Sequence, residues 1–215
     1  IMGIVNTEDM QIVYSDTPGV LVPNYKLQES MLNFSQSALL DADILLYVTD
    51  VVEAPAKNQS FLDKVARETV PVSAQYKFNL DYLLKRIQEL LPPSPPFFEK
   101  DALTDKPARF FVTEIIREKI LQTYDKEIPY ACEVAVEQFH EEENRIHIMA
   151  VIYVERDSQK GIVIGKGGSA LKKVGTLARK DIEVFFDKKV FLELYVKVEK
   201  DWRSRENKLK GFGYI

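Results

Sequence analysis

The sequence predicts an α/β domain followed by a smaller α+β sandwich, and three observations predict it. Strand-like and helix-period runs alternate through the first 91 residues, as expected for a sheet with helices packed on it. Pro92-Pro93-Ser94-Pro95-Pro96 then stops the last of these helices and cannot join a central strand. Charge divides the chain as well: residues 1–105 carry a net −7 and residues 106–215 a net +3, with +7 concentrated between 156 and 210. These observations set a first domain at 1–91, a proline-rich linker at 92–106 and a second domain at 107–215.

In the first domain, Ile1–Val5 and Met10–Tyr14 are β-rich runs around the polar cluster Asn6-Thr7-Glu8-Asp9, which reads as a hairpin. Asp16-Thr17-Pro18-Gly19-Val20 follows the second strand, at the strand end where open α/β sheets bind ligands. Apolar residues at Leu27, Met31, Phe34 and Ala38 predict a helix over Lys26–Leu40. Ile44–Asp50 is almost wholly apolar, as in a strand buried on both faces. Helices are expected at Asn58–Thr69 and Leu80–Leu91, with Val70–Gln75 between them.

The second half changes character. Arg109–Tyr124 has helical spacing; Tyr130–Phe139 and Arg145–Glu155 alternate across the acidic turn Glu141-Glu142-Glu143-Asn144. A short helix, a glycine loop, a helix from Ser169 to about Phe186 and a strand over Val190–Val198 complete it. Leu171, Val174, Leu177, Ala178 and Ile182 mark the buried face of the long helix.

Chemistry concentrates at Ile162-Val163-Ile164-Gly165-Lys166-Gly167-Gly168-Ser169. Small residues let a phosphate chain approach main-chain N–H groups. A nucleotide P-loop needs Gly-x-x-x-x-Gly-Lys-Ser/Thr; Gly161 and Gly165 have three residues between them, and Gly167 stands where the hydroxyl should be. Two strands before the loop and a basic helix after it instead arrange a K-homology (KH) clamp for single-stranded nucleic acid. Lys166 supplies a charge at the tip, Lys172, Lys173, Arg179 and Lys180 extend it, and bases are expected against Ile162, Val163 and Ile164.

Other residues are assigned to the scaffold. The single cysteine, Cys132, excludes an internal disulfide and reads as core. His140 and His147 read as hairpin surface, and Trp202 as packing on the domain rather than stacking on bases. Gly211-Phe212-Gly213-Tyr214 reads as a flexible tail. No apolar run approaches the roughly 20 residues of a spanning helix and no signal-peptide pattern opens the chain, so a cytoplasmic protein is expected.

Asp16-Thr17-Pro18-Gly19, Ser73-Ala74-Gln75, Pro107-Ala108-Arg109-Phe110-Phe111, Glu114–Lys119, Ile128-Pro129-Tyr130, Ile164–Gly168 and Trp202-Arg203, in that order, resemble the bacterial Era GTPases. The resemblance implies a doubly wound P-loop GTPase-type sheet followed by a type II KH domain. It implies a GTP switch, with GTP/GDP and Mg²⁺ as cofactors, that assists assembly of the small (30S) ribosomal subunit. Its partner would be the 3′ region of small-subunit ribosomal RNA. By position, Asp16 would hold Mg²⁺ through a water and the N–H of Gly19 would sense the γ-phosphate. Thr17, Pro18 and Val20 would line the same site, and Ser73-Ala74-Gln75 would pack by the guanine base. Val20 stands where Ras-like switches place a water-orienting glutamine, so intrinsic hydrolysis would be slow and no catalytic base is assigned. Lys26–Leu40 would belong to the second switch region. The family is also described as peripheral at the inner membrane, and a monomer is expected.

Three of the family's segments do not occur in these 215 residues: the P-loop, the first switch and Asn-Lys-x-Asp. The P-loop follows a strand that is central in the family's sheet, so the gaps are expected to be segments outside this sequence rather than deletions in the protein. The competing expectation is a KH-type RNA chaperone without nucleotide chemistry. A KH-bearing nuclease would need a metal-ligand cluster that the sequence does not offer.

Overall fold

The computed structural model describes residues 2–18, 24–48, 52 and 68–214. The N-terminal hairpin pairs β1 (Met2–Asn6) with β2 (Gln11–Ser15) antiparallel, Met2 opposite Ser15 and Asn6 opposite Gln11. The turn closes when Thr7 N–H donates to Met10 O at 2.8 Å, and Ile4 and Ile12 are buried. Helix α1 covers Lys26–Asp41 and α2 covers Leu80–Leu90. Helix α2 stops where Leu91 turns extended ahead of the prolines.

The expected strand at Ile44–Asp50 is absent among the described residues. Leu45–Val48 has no regular structure, and Leu45, Leu46 and Val48 are exposed. A strand buried on both faces requires neighbours that satisfy its N–H and C=O groups on both edges. The described front domain offers only the two-stranded hairpin. Thr49 and Asp50 lie outside the described residues, as does most of the helix expected at Asn58–Thr69; Glu68 and Thr69 are irregular.

The proline-rich segment does more than connect. Beyond the prolines it runs along β1: Ile4 N–H donates to Leu103 O at 2.9 Å, and Gly3 bridges Thr104 antiparallel. Gln11 clasps it from β2, its amide donating to Phe98 O at 2.9 Å while its carbonyl accepts from Phe97 and Phe98 N–H.

In the second domain α3 (Ala108–Thr123) and the short α4 (Ile128–Ala131) precede β3 (Glu133–Glu141) and β4 (Arg145–Val154). Strand β3 starts later than the alternation suggested, because Tyr130 and Ala131 complete a helical turn opened by Pro129. Then come α5 (Asp157–Ile164), a 3₁₀ turn over Lys166–Gly168, α6 (Ser169–Phe186) and β5 (Lys189–Val198). The sheet order is β3-β4-β5; β3 is antiparallel to β4, with a bulge between Val136 and Gln138, and β5 is parallel to β4. A parallel pair needs a long crossover, and α5, the glycine turn and α6 supply it. Val112, Ile116 and Ile120 of α3 and Val174, Ala178 and Ile182 of α6 repeat every four residues. They close on Ile146, Ile148, Ala150, Ile152 and Val154, which repeat every two along β4, and each of these side chains is at most 1% exposed.

The C-terminus is not a loose tail. A 3₁₀ turn at Trp202–Ser204 and helix α7 (Glu206–Gly211) fold back on the domain. Trp202 is buried, its indole N–H directed at Ala131 O and Phe212 set edge-on at 5.6 Å. Tyr214 donates its hydroxyl hydrogen to Glu133 at 2.7 Å and accepts from Arg117 at 3.2 Å. The packing of Trp202 and Phe212 carries the chain back over the sheet, which the glycines in the tail hid at the level of sequence.

Burial pushes the Glu133 carboxyl above its ordinary value, against the opposing pull of Arg117 and the Tyr214 hydroxyl. The folded protein therefore holds this proton more tightly than the unfolded chain. That stability is fully present below pH 4.5 and is lost as pH rises through the raised value. Glu133→Gln, neutral throughout, is expected to gain Tm relative to the parent as pH is raised from the acid side to neutrality; thermal melts across that range check it.

Candidate nucleic-acid interface

The glycine loop is held from both sides. Helix α5 starts where the Gln159 side chain accepts from the N–H groups of Glu155 and Arg156, both at 3.0 Å. It ends where Gly165 N–H donates to Gly161 O at 2.9 Å. Gly165 sits at φ 74°, ψ 175°, and a Cβ there would come within 2.7 Å of Ala170 Cβ and 2.9 Å of its backbone nitrogen. Gly167 and Gly168 also have positive φ, at 59° and 80°, with nothing within 4 Å of a Cβ at either. The loop therefore makes one close internal approach and presents two open, side-chain-free positions to solvent.

The charges are arranged for an anion. Gly168 is the N-cap of α6, and the first turn of that helix carries no acidic residue. Lys166, Gly167 and Ser169 are exposed, as are Lys172 and Lys173 in the next turn. Lysines at the positive end of a helix oppose its dipole, a cost that an incoming phosphate reverses.

The positions expected to meet bases separate. Ile162 is exposed and Ile164 half-buried, but Val163 is fully buried in the domain core. Val163 contributes through its carbonyl instead, which accepts from the Tyr124 hydroxyl at 2.7 Å. Burial pushes Tyr124 up to about 12, so the hydroxyl stays a donor. Arg179 is engaged with Glu183 at 2.9 Å, and Glu183 also accepts from Val190 N–H. Beside Ile162, Thr123–Ile128 line a depression of about 360 Å³. Tyr124 carried no motif in the sequence; its spacing from Ile120 marked it only as helix end.

Fewer of the nucleotide-side positions are described. Asp16 and Thr17 are exposed beyond β2, while Gly19 and Val20 lie outside the described residues. The Pro18 carbonyl lies 2.8 Å from the buried Ser35 hydroxyl, which donates to it from α1. Ser73 pairs with Phe78 across a tight turn, its hydroxyl accepting from Tyr76 N–H and Ala74 and Gln75 exposed at the tip. Among the described residues no cluster of three or more His, Cys, Asp or Glu could hold a metal. One exposed carboxylate fits Mg²⁺ carried on nucleotide phosphates, since that ion keeps waters and takes only one or two protein carboxylates. Cys132 is buried with its thiol pushed up to about 12 by that burial, so it is packing.

This fold and loop define a KH domain joined to a partial α/β domain, and residues 127–203 match the KH domain family model. The whole chain is similar to Aquifex aeolicus Era, solved as a variant bound to GDP and aluminium fluoride. The TM-score is 0.88 and the identity 31%, over 99% of this chain and 85% of that one. It is equally similar to Era in complex with MgGDPNP and nucleotides 1506–1542 of 16S ribosomal RNA, with TM-score 0.88 and 30% identity over the same shares. The chain belongs to the Era family.

No helix among the described residues is long and apolar enough to cross a membrane.

Proposed function

We infer that this protein is a GTP-binding and GTP-hydrolysing switch. Its KH domain binds the 3′ region of small-subunit ribosomal RNA and assists assembly of the 30S subunit. One observation carries the reading: a glycine turn with two open positive-φ positions and exposed lysines sits at a helix N-terminus, on a chain matching Era with bound nucleotide and with 16S ribosomal RNA. Gly165–Ser169, Lys172 and Lys173 line the RNA side, with Ile162 and Ile164 available to bases. Val163 supports that surface from within, and Arg179, partly exposed beside Glu183, extends it along α6. On the nucleotide side Asp16 holds Mg²⁺ through a water, Thr17, Pro18, Gly19 and Val20 surround the phosphate, and Ser73-Ala74-Gln75 meets the guanine. A monomer acting in the cytoplasm, with any membrane contact peripheral, completes the reading.

The test is binding of an RNA carrying the small-subunit 3′ sequence, titrated with salt. Lysine–phosphate contacts release counterions, so log K is expected to fall linearly with log salt at a slope of about −2 to −3 for three or four contacts on a single strand. A flat response would argue against the assignment of the loop.

A further inference from the structure

Helix α1, which follows the loop at Pro18, reaches the KH domain directly. Its buried Leu27, with Tyr25 and Met31, packs against Trp202, Leu209, Phe212 and Tyr214. Lys26 adds an exposed pairing with Glu206 at 3.8 Å. The Arg203 guanidinium lies over the Tyr25 ring, 5.4 Å from its centroid, and its Nη2 pairs with Glu155. Arg203 Nε is buried without a hydrogen-bond partner, so the guanidinium is placed by Tyr25, ring and hydroxyl together, and by that carboxylate. Glu155 directly follows β4, and its N–H is half of the Gln159 cap that starts α5. At the other end of the same helix face, Ser35 holds the Pro18 carbonyl.

We propose that Tyr25 and Arg203 are positioning residues that couple the nucleotide site to the glycine loop. The path runs from Pro18 through Ser35 and α1 to Tyr25, then through Arg203 and Glu155 into the first turn of α5. Gly165 caps the far end of α5. The inference rests on the reading that the loop at Gly19 senses the γ-phosphate. Physically, a shift of α1 takes the ring off a half-buried guanidinium. Arg203 must then move with α1, dragging the Glu155 carboxylate, or lose the contact; either way the N-terminus of the loop-bearing helix is released. Because coupling is reciprocal, RNA in the clamp would also bias the nucleotide state.

The experiment uses the full-length protein and RNA of the small-subunit 3′ region, with affinity measured in a non-hydrolysable GTP analogue and in GDP. The parent is expected to show a ratio of at least about 5-fold between the two states. Tyr25→Ala and Arg203→Met should each bring that ratio to within about 2-fold of unity, and the double variant should lose no more. Tyr25→Phe, which keeps the ring over the guanidinium but removes the hydroxyl that also faces it, should retain most of the parental ratio, with every variant still saturable by both nucleotides. A merely structural role would lower RNA affinity equally in both states and leave the ratio intact, and that result would overturn the inference. Tyr25 is only partly buried and its side chain makes no cap hydrogen bond, so the test stands on Tyr25→Ala even if Arg203→Met folds poorly. A parent that binds both GTP and RNA with a ratio near one sinks the coupling but not the proposed function; a parent that binds no GTP sinks both.

Discussion

Replacing Lys166 and Gly167 together by aspartate is expected to abolish RNA binding, by on the order of 100-fold or more at moderate salt, with GTP affinity unchanged. The substitution turns one positive and one neutral position at the loop tip into two negative ones. It acts at the start of α6, whose first turn has no side-chain cap on its N–H donors and no acidic side chain. Phosphate oxygens that approached these donors would meet like charge at contact distance. The backbone should survive. Gly167 sits at φ 59°, ψ 25°, a left-handed conformation that aspartate adopts more readily than most residues. Nothing lies within 4 Å of a Cβ there. A filter-binding assay that retained RNA, with an unchanged thermal melt, would show that the glycine loop is not the clamp.

The KH half was legible because its elements depend on their own periodicity. The two-residue spacing along β4 and the four-residue spacing along α3 and α6 each identify a buried face without reference to the rest of the chain. The front domain was less so. Ile44–Val48 has the composition of a central strand, yet composition cannot supply a neighbour, and the described front domain pairs only β1 with β2. The proline-rich segment erred the other way. Prolines correctly marked a break, but Gln11, one polar residue in a β-rich run, makes the bonds that fasten the stretch beyond them to the hairpin.

Site residues divided along the same line. Lys166, Gly167 and Gly168 could be read from the sequence because a loop of small residues with one cation has few other uses. Val163, amid three β-branched residues, could not be separated from Ile162 and Ile164 until the turn of α5 sent it inward. Arg203 was visible as half of a Trp-Arg pair without a role. Its partners Tyr25 and Glu155 lie 178 and 48 positions away in the chain, a separation no local pattern reports.

Two glycines four residues apart should respond to alanine with opposite signs. Gly161 is interior to α5 with open space where a Cβ would go, and its φ needs no glycine. Gly161→Ala should raise stability by about 0.5–1 kcal/mol, because alanine restricts the unfolded chain and favours helix. Gly165→Ala meets two penalties at once. Its φ of 74° with ψ of 175° is a region almost confined to glycine, and the new methyl would press on Ala170 Cβ and on that residue's backbone nitrogen. Together these cost about 3 kcal/mol, a Tm loss on the order of 10 °C for a domain of this size. Relief is available only by moving the start of α6 away from α5, since backbone at 2.9 Å cannot step aside as a flexible side chain would. That movement would also displace the N–H groups of the clamp. Gly165→Ala should therefore lose RNA affinity as well as stability, whereas Gly161→Ala gains stability; paired thermal melts and RNA titrations would separate them. If the two variants melted alike, the close approach at Gly165 would not be what shapes the loop.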